Sequence, residues 1–408
     1  MTQLAGSPKQ IDATASGGGE TSSRPRALLF CSFEPSGDDH ASTVIAELIR
    51  RHPDLKIYAW GGPRMAAAGA EVVEQTGRDA VMGMPGLAKI QEHRRINERI
   101  EAWLDRNPIA AFVPVDSPAA NFPICKLAKK RGIRVVHLVA PQVWAWGSWR
   151  VKKLRKLTDM VLCLLPFEET WFEGKNVPAK YVGHPLFDIP LDHAALEAAA
   201  SKMPEGSPKI ALLPGSRPKE HLHNFPLLLE SFRRLRADRP ETVGVVAATT
   251  PEVAESLRET AKNLGGWPDG LSMEIRSTDA IVKWCDLALV VSGTVTLQIA
   301  RQKKPMVIVY KTGRLFFELI GRWILTAPYF TLPNLIAGRR IVPELVPHFG
   351  DAEPIVQEAT RIIEDESVAE QQRQELGKVV DKFAHMDASL HAADAIERVA
   401  GLRAQTLK

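Results

Sequence analysis

The sequence predicts an α/β protein with two doubly wound parallel sheets that face a cleft, followed by a helical C-terminal region. Two observations support this fold class. The apolar runs are short, continuous rather than alternating, and separated by helical stretches, as expected of parallel strands buried on both faces. The chain also has 408 residues, more than the roughly 100–200 residues of a typical domain, so two domains are expected.

The first strand array defines an N-terminal domain over residues 27–190. Residues 1–26 precede it and are interpreted as a disordered tail, because they are rich in Ser, Thr, Gly and Ala and lack the apolar core of a signal peptide. Helices are predicted between the strands, for example over residues 96–105 and 124–131. The predicted strands of this array cover residues 27–32, 56–60, 110–115, 135–139, 160–165 and 180–182.

The second strand array follows a Pro- and Ala-rich stretch over residues 189–208 and defines a C-terminal domain over residues 191–385. Helices predominate after its last strand. One of them lies within residues 386–408 and could pack back onto the first domain. The predicted strands of the second array cover residues 209–213, 243–247, 273–276, 287–291 and 305–310.

The composition is that of an ordinary globular protein, with 45% hydrophobic and 25% charged residues. The formal net charge of +4 is small for this length and does not indicate a nucleic-acid partner. The four cysteines form no CxxC pair and mostly lie in or beside strand-like runs, which favours free thiols in a reducing compartment. No apolar run reaches the ~18 residues of a membrane-spanning helix. We therefore expect a cytoplasmic protein that at most lies on a membrane surface.

Two strand ends of the first domain carry candidate catalytic side chains, because doubly wound sheets bind ligands where strands end and loops lead into helices. Glu34, Ser36 and Asp38 follow the first strand. Ser36 is suited to bonding a ligand or, like Asp38, to capping the next helix. Asp116 follows a buried strand, where it is suited to act as a general base or to cap a turn. The residues themselves leave these alternatives open.

Two strand ends of the second domain are suited to a phosphate group. Gly215 permits close approach of the backbone, and Arg217 presents a planar guanidinium, although the spacing is not that of a Walker A loop. Residues 292–294 follow another strand, where backbone N–H groups and the helix dipole can stabilise a leaving diphosphate without a metal. The alternative is a capped helix with nothing bound. Gln298 lies one turn further on and is placed to bond a ribose hydroxyl.

The sequence offers little for other chemistry. The densest groups of metal-ligand residue types, at 38–40 and 221–223, match no known ligand frame, so no metal is expected. The GxGxxG fingerprint of dinucleotide-binding dehydrogenases and the GxSxG elbow of many hydrolases are both absent.

Nine segments stand out in order between residues 34 and 339. They are residues 34–38 (EPSGD), 62–65 (GPRM), 81–83 (VMG), 141–146 (PQVWAW), 164–168 (LLPFE), 181–185 (YVGHP), 213–217 (LPGSR), 292–294 (SGT) and 332–339 (LPNLIAGR). Together they make the sequence, from residue 27 to the C-terminus, similar to lipid-A-disaccharide synthases, which are inverting glycosyltransferases with two Rossmann-like domains (GT-B type). One such segment is a weak signal, whereas nine at family-like separations are specific.

The resemblance implies a reaction and a set of site residues. UDP-2,3-diacylglucosamine would donate its sugar to the 6-hydroxyl of 2,3-diacylglucosamine 1-phosphate, giving a β-1,6 disaccharide 1-phosphate and UDP, with no cofactor and no metal. Asp116 matches the general base, and Glu34 and Ser36 match other catalytic-site positions. The residues implied to hold UDP are Arg217, Ser292, Gly293, Thr294, Gln298, Asn334 and Glu344.

The sequence departs from the family pattern at a few positions. Gln298 stands where the family usually has Glu, which removes a charge from the expected ribose contact. Gly147, Ala140 and Ala120 replace an Arg, a Ser and a bulkier or acidic residue. These departures leave room for an altered acyl or sugar preference. They also keep two alternatives open, a UDP-binding module on a membrane surface and a related sugar-nucleotide enzyme.

Acylated substrates imply contact with the cytoplasmic face of the inner membrane, and two segments are candidates. In the first, Trp144, Trp146 and Trp149 lie beside a basic run, which favours membrane contact over a solvated helix with tryptophans packed beneath it. In the second, residues 315–325 have a broad apolar face that a buried helix would explain equally well. A homodimer also stays open. The basic run consists of Arg150, Lys152, Lys153, Arg155 and Lys156.

Overall fold

The computed structural model describes residues 27–76, 87–145, 147–312 and 328–402. It contains a seven-stranded and a six-stranded sheet, in which every neighbouring pair of strands is parallel. The predicted class of two doubly wound sheets is therefore confirmed. The predicted N-terminal tail lies outside the described residues.

The seven-stranded sheet has the strand order β3-β2-β1-β4-β5-β6-β7. The chain runs outward from β1 in one direction and then, from β4, in the other, which is the doubly wound pattern. Its strands are β1 (Ala27–Cys31), β2 (Lys56–Gly61), β3 (Glu71–Gln75), β4 (Ala111–Pro114), β5 (Arg134–Leu138), β6 (Met160–Cys163) and β7 (Ala179–Tyr181). Its helices are α1 (Pro35–Arg51), α2 (Pro63–Ala67), α3 (Leu87–Leu104), α4 (Pro118–Lys130), the 3₁₀ helix η1 (Ser148–Arg150), α5 (Val151–Leu157), α6 (Glu168–Glu173) and the 3₁₀ helix η2 (Pro185–Phe187).

The six-stranded sheet repeats the pattern with the order β10-β9-β8-β11-β12-β13. Its strands are β8 (Lys209–Leu213), β9 (Val243–Ala248), β10 (Leu271–Ile275), β11 (Leu287–Val291), β12 (Met306–Lys311) and β13 (Glu344–His348). The described helices from here to the end are α7 (His193–Ala200), α8 (Pro218–Asp238), α9 (Pro251–Asn263), α10 (Thr278–Trp284), α11 (Val295–Arg301), α12 (Leu332–Ala337), α13 (Glu353–Glu364), α14 (Glu366–Asp381) and α15 (Ala388–Ala400).

Two strands were missed by the sequence prediction, β3 and β13, and both lie at a sheet edge. Residues of β3 alternate between exposed and half-buried, so the strand lacks the continuous apolar run that identified the others. Strand β13 contains Pro347, which cannot donate to a neighbouring strand and is tolerated at an edge. The rule of continuous apolar runs therefore found every interior strand and the edge strands β7 and β10, but it overlooked the other two edge strands.

Asp38 caps a helix, but not the helix expected from the sequence. No side chain caps α1, so the alternative that Ser36 or Asp38 caps it is wrong. The buried Asp38 carboxylate instead accepts hydrogen bonds from the backbone N–H groups of Gly62, Arg64 and Met65 at the start of α2. This contact ties the start of α1 to the loop after β2.

The C-terminal helix α15 packs against the seven-stranded sheet. Ala392, Ala393 and Ile396 belong to the same apolar cluster as Leu28 and Phe30 of β1. Polar contacts strengthen this arrangement, since Arg51 of α1 pairs with Asp394 and Glu397 of α15. The last described helix thus completes the core built by the first strand.

We expect Ile396→Ala to lower the free energy of unfolding by about 2–5 kcal/mol, because it opens a cavity in that core. Ile396 is fully buried, although it lies close to the C-terminus. Chemical denaturation measures the effect, with Arg398→Ala on the exposed face of the same helix as the control. Equal stability of the two variants would contradict the packing of α15.

Candidate active site

Glu34 and Asp116 lie at neighbouring strand ends of the seven-stranded sheet. β1 and β4 pair directly, and their connections leave in opposite directions, which is where doubly wound sheets open a crevice. Glu34 follows β1, and Asp116 and Ser117 follow β4. The Ser117 hydroxyl donates to Glu34 Oε1 at 2.9 Å, so the two loops meet directly.

The backbone at Asp116 has an unusual conformation. Asp116 and Ser117 have φ values of 45° and 39°, which residues other than glycine adopt at a cost of about 1–3 kcal/mol each. Asn121 holds the turn, because its side-chain amide donates to the carbonyl oxygens of Val115 at 3.2 Å and Asp116 at 2.9 Å. Sequence reasoning missed Asn121. The signal available in the sequence was the position of Asn121, the fourth residue of α4, which begins directly after the turn.

Burial raises the pKa of Asp116 above its ordinary value. A backbone hydrogen bond from Ser117 lowers it, the charge of Glu34 raises it, and the charge of Arg217 lowers it. Arg217 belongs to the loop after β8 of the six-stranded sheet, whereas Asp116 follows β4 of the seven-stranded sheet. A charge from one sheet therefore changes the pKa of a carboxyl group on the other. The two strand-end regions are therefore close enough to interact electrostatically.

The six-stranded sheet has a cleft at its own switch point, where β8 pairs with β11. Its volume is ≈ 280 Å³, close to the lower end of ligand-binding pockets, about 300 Å³. Most of the residues predicted to hold UDP line it, and sequence reasoning missed Thr249, Thr278 and Glu220. The predicted residues in the cleft are Arg217, Ser292, Gly293, Thr294 and Gln298.

Arg217 is engaged in an ion pair within the cleft. Its guanidinium donates to Glu220 Oε1 at 2.8 Å, and its backbone N–H donates to Glu220 Oε2 at 3.4 Å at the start of α8. The side chain is largely exposed, so it is available to an incoming anion. Glu220 is the third residue of α8 and follows the N-cap residue Arg217 by three positions, which is the spacing of a capping box.

Gly293 faces open space in the cleft. A Cβ atom built there would meet no heavy atom within 4 Å, and the backbone is not in the left-handed region. Ser292 is held nearby, since its hydroxyl donates to the carbonyl oxygen of Phe330 at 3.4 Å. The loop after β11 thus leaves room directly above its backbone.

Asn334 does not line the cleft, and its predicted contact with UDP stays a prediction. Its side chain is fully buried. Its amide nitrogen donates to Val342 O and to Glu344 Oε2, and its amide oxygen accepts from the N–H groups of Ile341 and Val342. Every polar atom of Asn334 is used within the protein, so it positions the segment before β13.

Glu344 lies beside Asn334 and likewise does not line the cleft. Its carboxylate accepts from the Thr331 hydroxyl at 2.7 Å and from the Phe330 N–H at 3.4 Å. Because Phe330 also accepts from Ser292, Glu344 is connected to the cleft through one intervening residue.

Ser36 and three of the residues that depart from the family pattern lie in different environments. Ser36 is exposed in the first turn of α1. Gly147 has a φ of 68°, in which an arginine would be strained. Ala140 is buried in an apolar cluster, and Ala120 packs against another.

In the described part of the chain, no group of three or more His, Cys, Asp or Glu side chains is arranged to hold a metal ion.

The fold, with a crevice at the switch point of each sheet, is one that glycosyltransferases and UDP-sugar epimerases share. A glycosyltransferase of kitacinnamycin has a TM-score of 0.61 at 18% identity, covering 92% of this chain and 99% of its own. A UDP-GlcNAc 2-epimerase from Neisseria meningitidis, bound to UDP-GlcNAc, has a TM-score of 0.59 at 12% identity over 92% of this chain and 99% of its own. These likenesses show the shared fold.

The sequence comparison identifies the family to which the chain belongs. Residues 28–396 match the profile of the lipid-A-disaccharide synthetase family, and the chain belongs to that family. A lipid-A-disaccharide synthase of Geobacter metallireducens is 33% identical over 92% of this chain and 96% of its own length. Another, of Azotobacter vinelandii, is 34% identical over 90% and 96%. The predicted family and glycosyltransferase activity are confirmed.

We expect Asn334→Ala to lower the free energy of unfolding by about 2–4 kcal/mol, because it leaves buried backbone groups without partners. Thr294→Ala, an exposed change in the cleft, should stay within about 0.5 kcal/mol of the parent. Denaturant titration without ligand compares them. An unchanged stability of Asn334→Ala would favour the direct ligand contact that the sequence had predicted.

Proposed function

We propose that the protein transfers 2,3-diacylglucosamine from UDP to the 6-hydroxyl of 2,3-diacylglucosamine 1-phosphate, releasing UDP and a β-1,6 disaccharide 1-phosphate. One observation carries the proposal. A half-buried carboxyl group, Asp116, lies within electrostatic influence of Arg217, which lines the cleft of the opposite sheet. A base for the acceptor and a cation for the leaving diphosphate are thus available in one site.

The UDP part of the donor is proposed to lie in the cleft between β8 and β11. Its diphosphate would lie against Gly293 and the start of α8, where Arg217 and the helix N-terminus favour negative charge. Gln298 would bond the ribose without a charge. Phosphate oxygens would compete with Glu220 for the Arg217 guanidinium.

Transfer then requires one displacement at the anomeric carbon. Asp116 accepts the proton of the acceptor 6-hydroxyl while that oxygen forms the new bond to the carbon. The bond from the carbon to the diphosphate breaks, and its electron pair leaves with UDP, whose charge Arg217 stabilises. Attack opposite the leaving group inverts the anomeric configuration. This step uses protein groups alone.

Glu34 is proposed to tune the base. Its charge raises the pKa of Asp116, which makes the carboxylate more basic. The hydroxyl of Ser117 holds Glu34 in place. Ser36 in the exposed first turn of α1 is proposed to contact the acceptor.

The acylated substrates favour work at the cytoplasmic face of the inner membrane. No helix among the described residues is long and apolar enough to cross a membrane. Trp144 does not serve as a membrane anchor, because it is buried and its indole N–H donates to Glu168 at 2.9 Å. Trp149 is 63% exposed and is the better candidate. Trp146 and residues 315–325 lie outside the described residues, and a homodimer stays a prediction.

We expect Asp116→Asn to reduce kcat by about 10²–10⁴-fold, because the amide cannot take the proton. Mass spectrometry of the disaccharide 1-phosphate formed in detergent measures the rate, and calorimetry with UDP should show unchanged binding.

The rate of the parent should fall at low pH, since the Asp116 base works only when ionised, above its raised pKa. Glu34→Gln should move that fall to lower pH. Turnover of the donor without an acceptor would instead favour the related sugar-nucleotide enzyme.

We expect Gly293→Ala to raise the KM for the UDP-sugar about tenfold or more, because a methyl group would occupy the space proposed for the diphosphate. The added Cβ clashes with no described atom, so the melting temperature should not change. Initial rates at varied donor concentration and a thermal melt test this together. An unchanged KM would place the diphosphate elsewhere.

A further inference from the structure

A groove lies between α4 and α5, separate from the UDP cleft. Its volume is ≈ 760 Å³, and its lining is mainly apolar. Phe122 of α4 and Leu157 of α5 form part of its floor. We call it the basic groove, because it is lined as well by Lys126, Lys152, Lys153 and Lys156.

The four lysines of the basic groove have no ion-pair partner among the described residues. Across the part of the chain that the structure describes, no carboxylate lies within 4.0 Å of any of these four ammonium groups. Neighbouring cations differ, since Lys129 pairs with Asp159 at 2.9 Å and Arg155 donates to the carbonyl oxygen of Lys175 at 3.1 Å. Several unpaired like charges around an apolar floor favour a ligand with both an anionic group and an apolar chain.

The basic groove begins next to the proposed base. Ala119, Phe122, Pro123 and Lys126 line it from one face of α4, as their helical spacing requires. Ala119 lies in the first turn of α4, three residues after Asp116. Because α4 starts at the carboxyl end of β4, the groove extends from Asp116 along the helix, over roughly 10 Å between Ala119 and Lys126.

We propose that the basic groove binds the acceptor, with its phosphate among the lysines and an acyl chain on the apolar floor. This inference rests on the proposed function. In the acceptor the reacting 6-hydroxyl lies at one side of the sugar, whereas the 1-phosphate and the 2,3-acyl chains lie at the other. A hydroxyl held at Asp116 leaves the phosphate and the chains facing away from the base, and the proposal places them in the groove that starts at Ala119 in the first turn of α4.

The test compares the triple variant Lys152→Gln, Lys153→Gln, Lys156→Gln with the matched control Arg155→Gln. Arg155 lies in the same helix but outside the groove. In neutral detergent micelles the triple variant should raise the KM for the phosphorylated acceptor about tenfold or more, as expected for lost charge-assisted contacts. The KM for the UDP-sugar, and the KM for an acceptor lacking the 1-phosphate, should not change. Arg155→Gln should behave as the parent.

The apolar floor is tested by Ala119→Trp, which fills the start of the groove from an exposed position. We expect it to raise the KM for long-chain acceptors more than for acceptors with short acyl chains. Equal effects on both chain lengths would overturn the assignment of the acyl chain.

Two further outcomes would overturn the assignment of the phosphate. One is an equal rise in KM for the acceptors with and without phosphate. The other is an effect seen only with vesicles of phosphatidylglycerol and phosphatidylcholine and not in neutral micelles, which would make the groove a membrane contact. If even the parent forms no disaccharide, the proposed function fails. Direct binding of 2,3-diacylglucosamine 1-phosphate to the parent, the triple variant and Arg155→Gln then still decides the groove.

Discussion

The left-handed turn at Asp116 and Ser117 is held by hydrogen bonds from a buried side chain, that of Asn121, and the site around it depends on this contact. The turn is costly for residues other than glycine, so it persists only where the surrounding structure holds it in place. It lets the Ser117 hydroxyl reach Glu34 across the ends of β4 and β1. It also comes directly before α4, so the same turn fixes where the basic groove starts relative to the proposed base.

The charges of the two strand-end regions complement each other. Burial and Glu34 make Asp116 a stronger base, whereas Arg217 moderates that effect from the opposite sheet. Arg217 is itself held by Glu220 and largely exposed, so an anion in the cleft can share it without a rearrangement of the fold. In the proposed mechanism, base strength and leaving-group stabilisation are linked through one guanidinium, which suits a single displacement step.

Apolar contacts hold the two sheets in position relative to each other. Trp144 and Phe172, from the seven-stranded part, share a cluster with Leu297 of α11 and Phe383. Leu297 is next in sequence to the cleft residue Gln298, and α15 packs into the core around β1. The proposed site between the two sheets needs such support, because a small shift of one sheet would separate the proposed base from the proposed diphosphate position.

The amino-acid sequence was sufficient to predict the interior strands, the two-sheet fold class, the family, and the strand ends where Glu34, Asp116, Arg217 and residues 292–294 lie. These features follow from local patterns, because continuous burial and turn residues are written in adjacent positions. The folded structure was needed to show that Asn334 is buried and positions its neighbours, that Glu220 holds Arg217, and that Trp144 donates to Glu168 instead of facing a membrane. Each of these features depends on which residues surround a polar side chain once the chain has folded, and a residue's type does not reveal its partners.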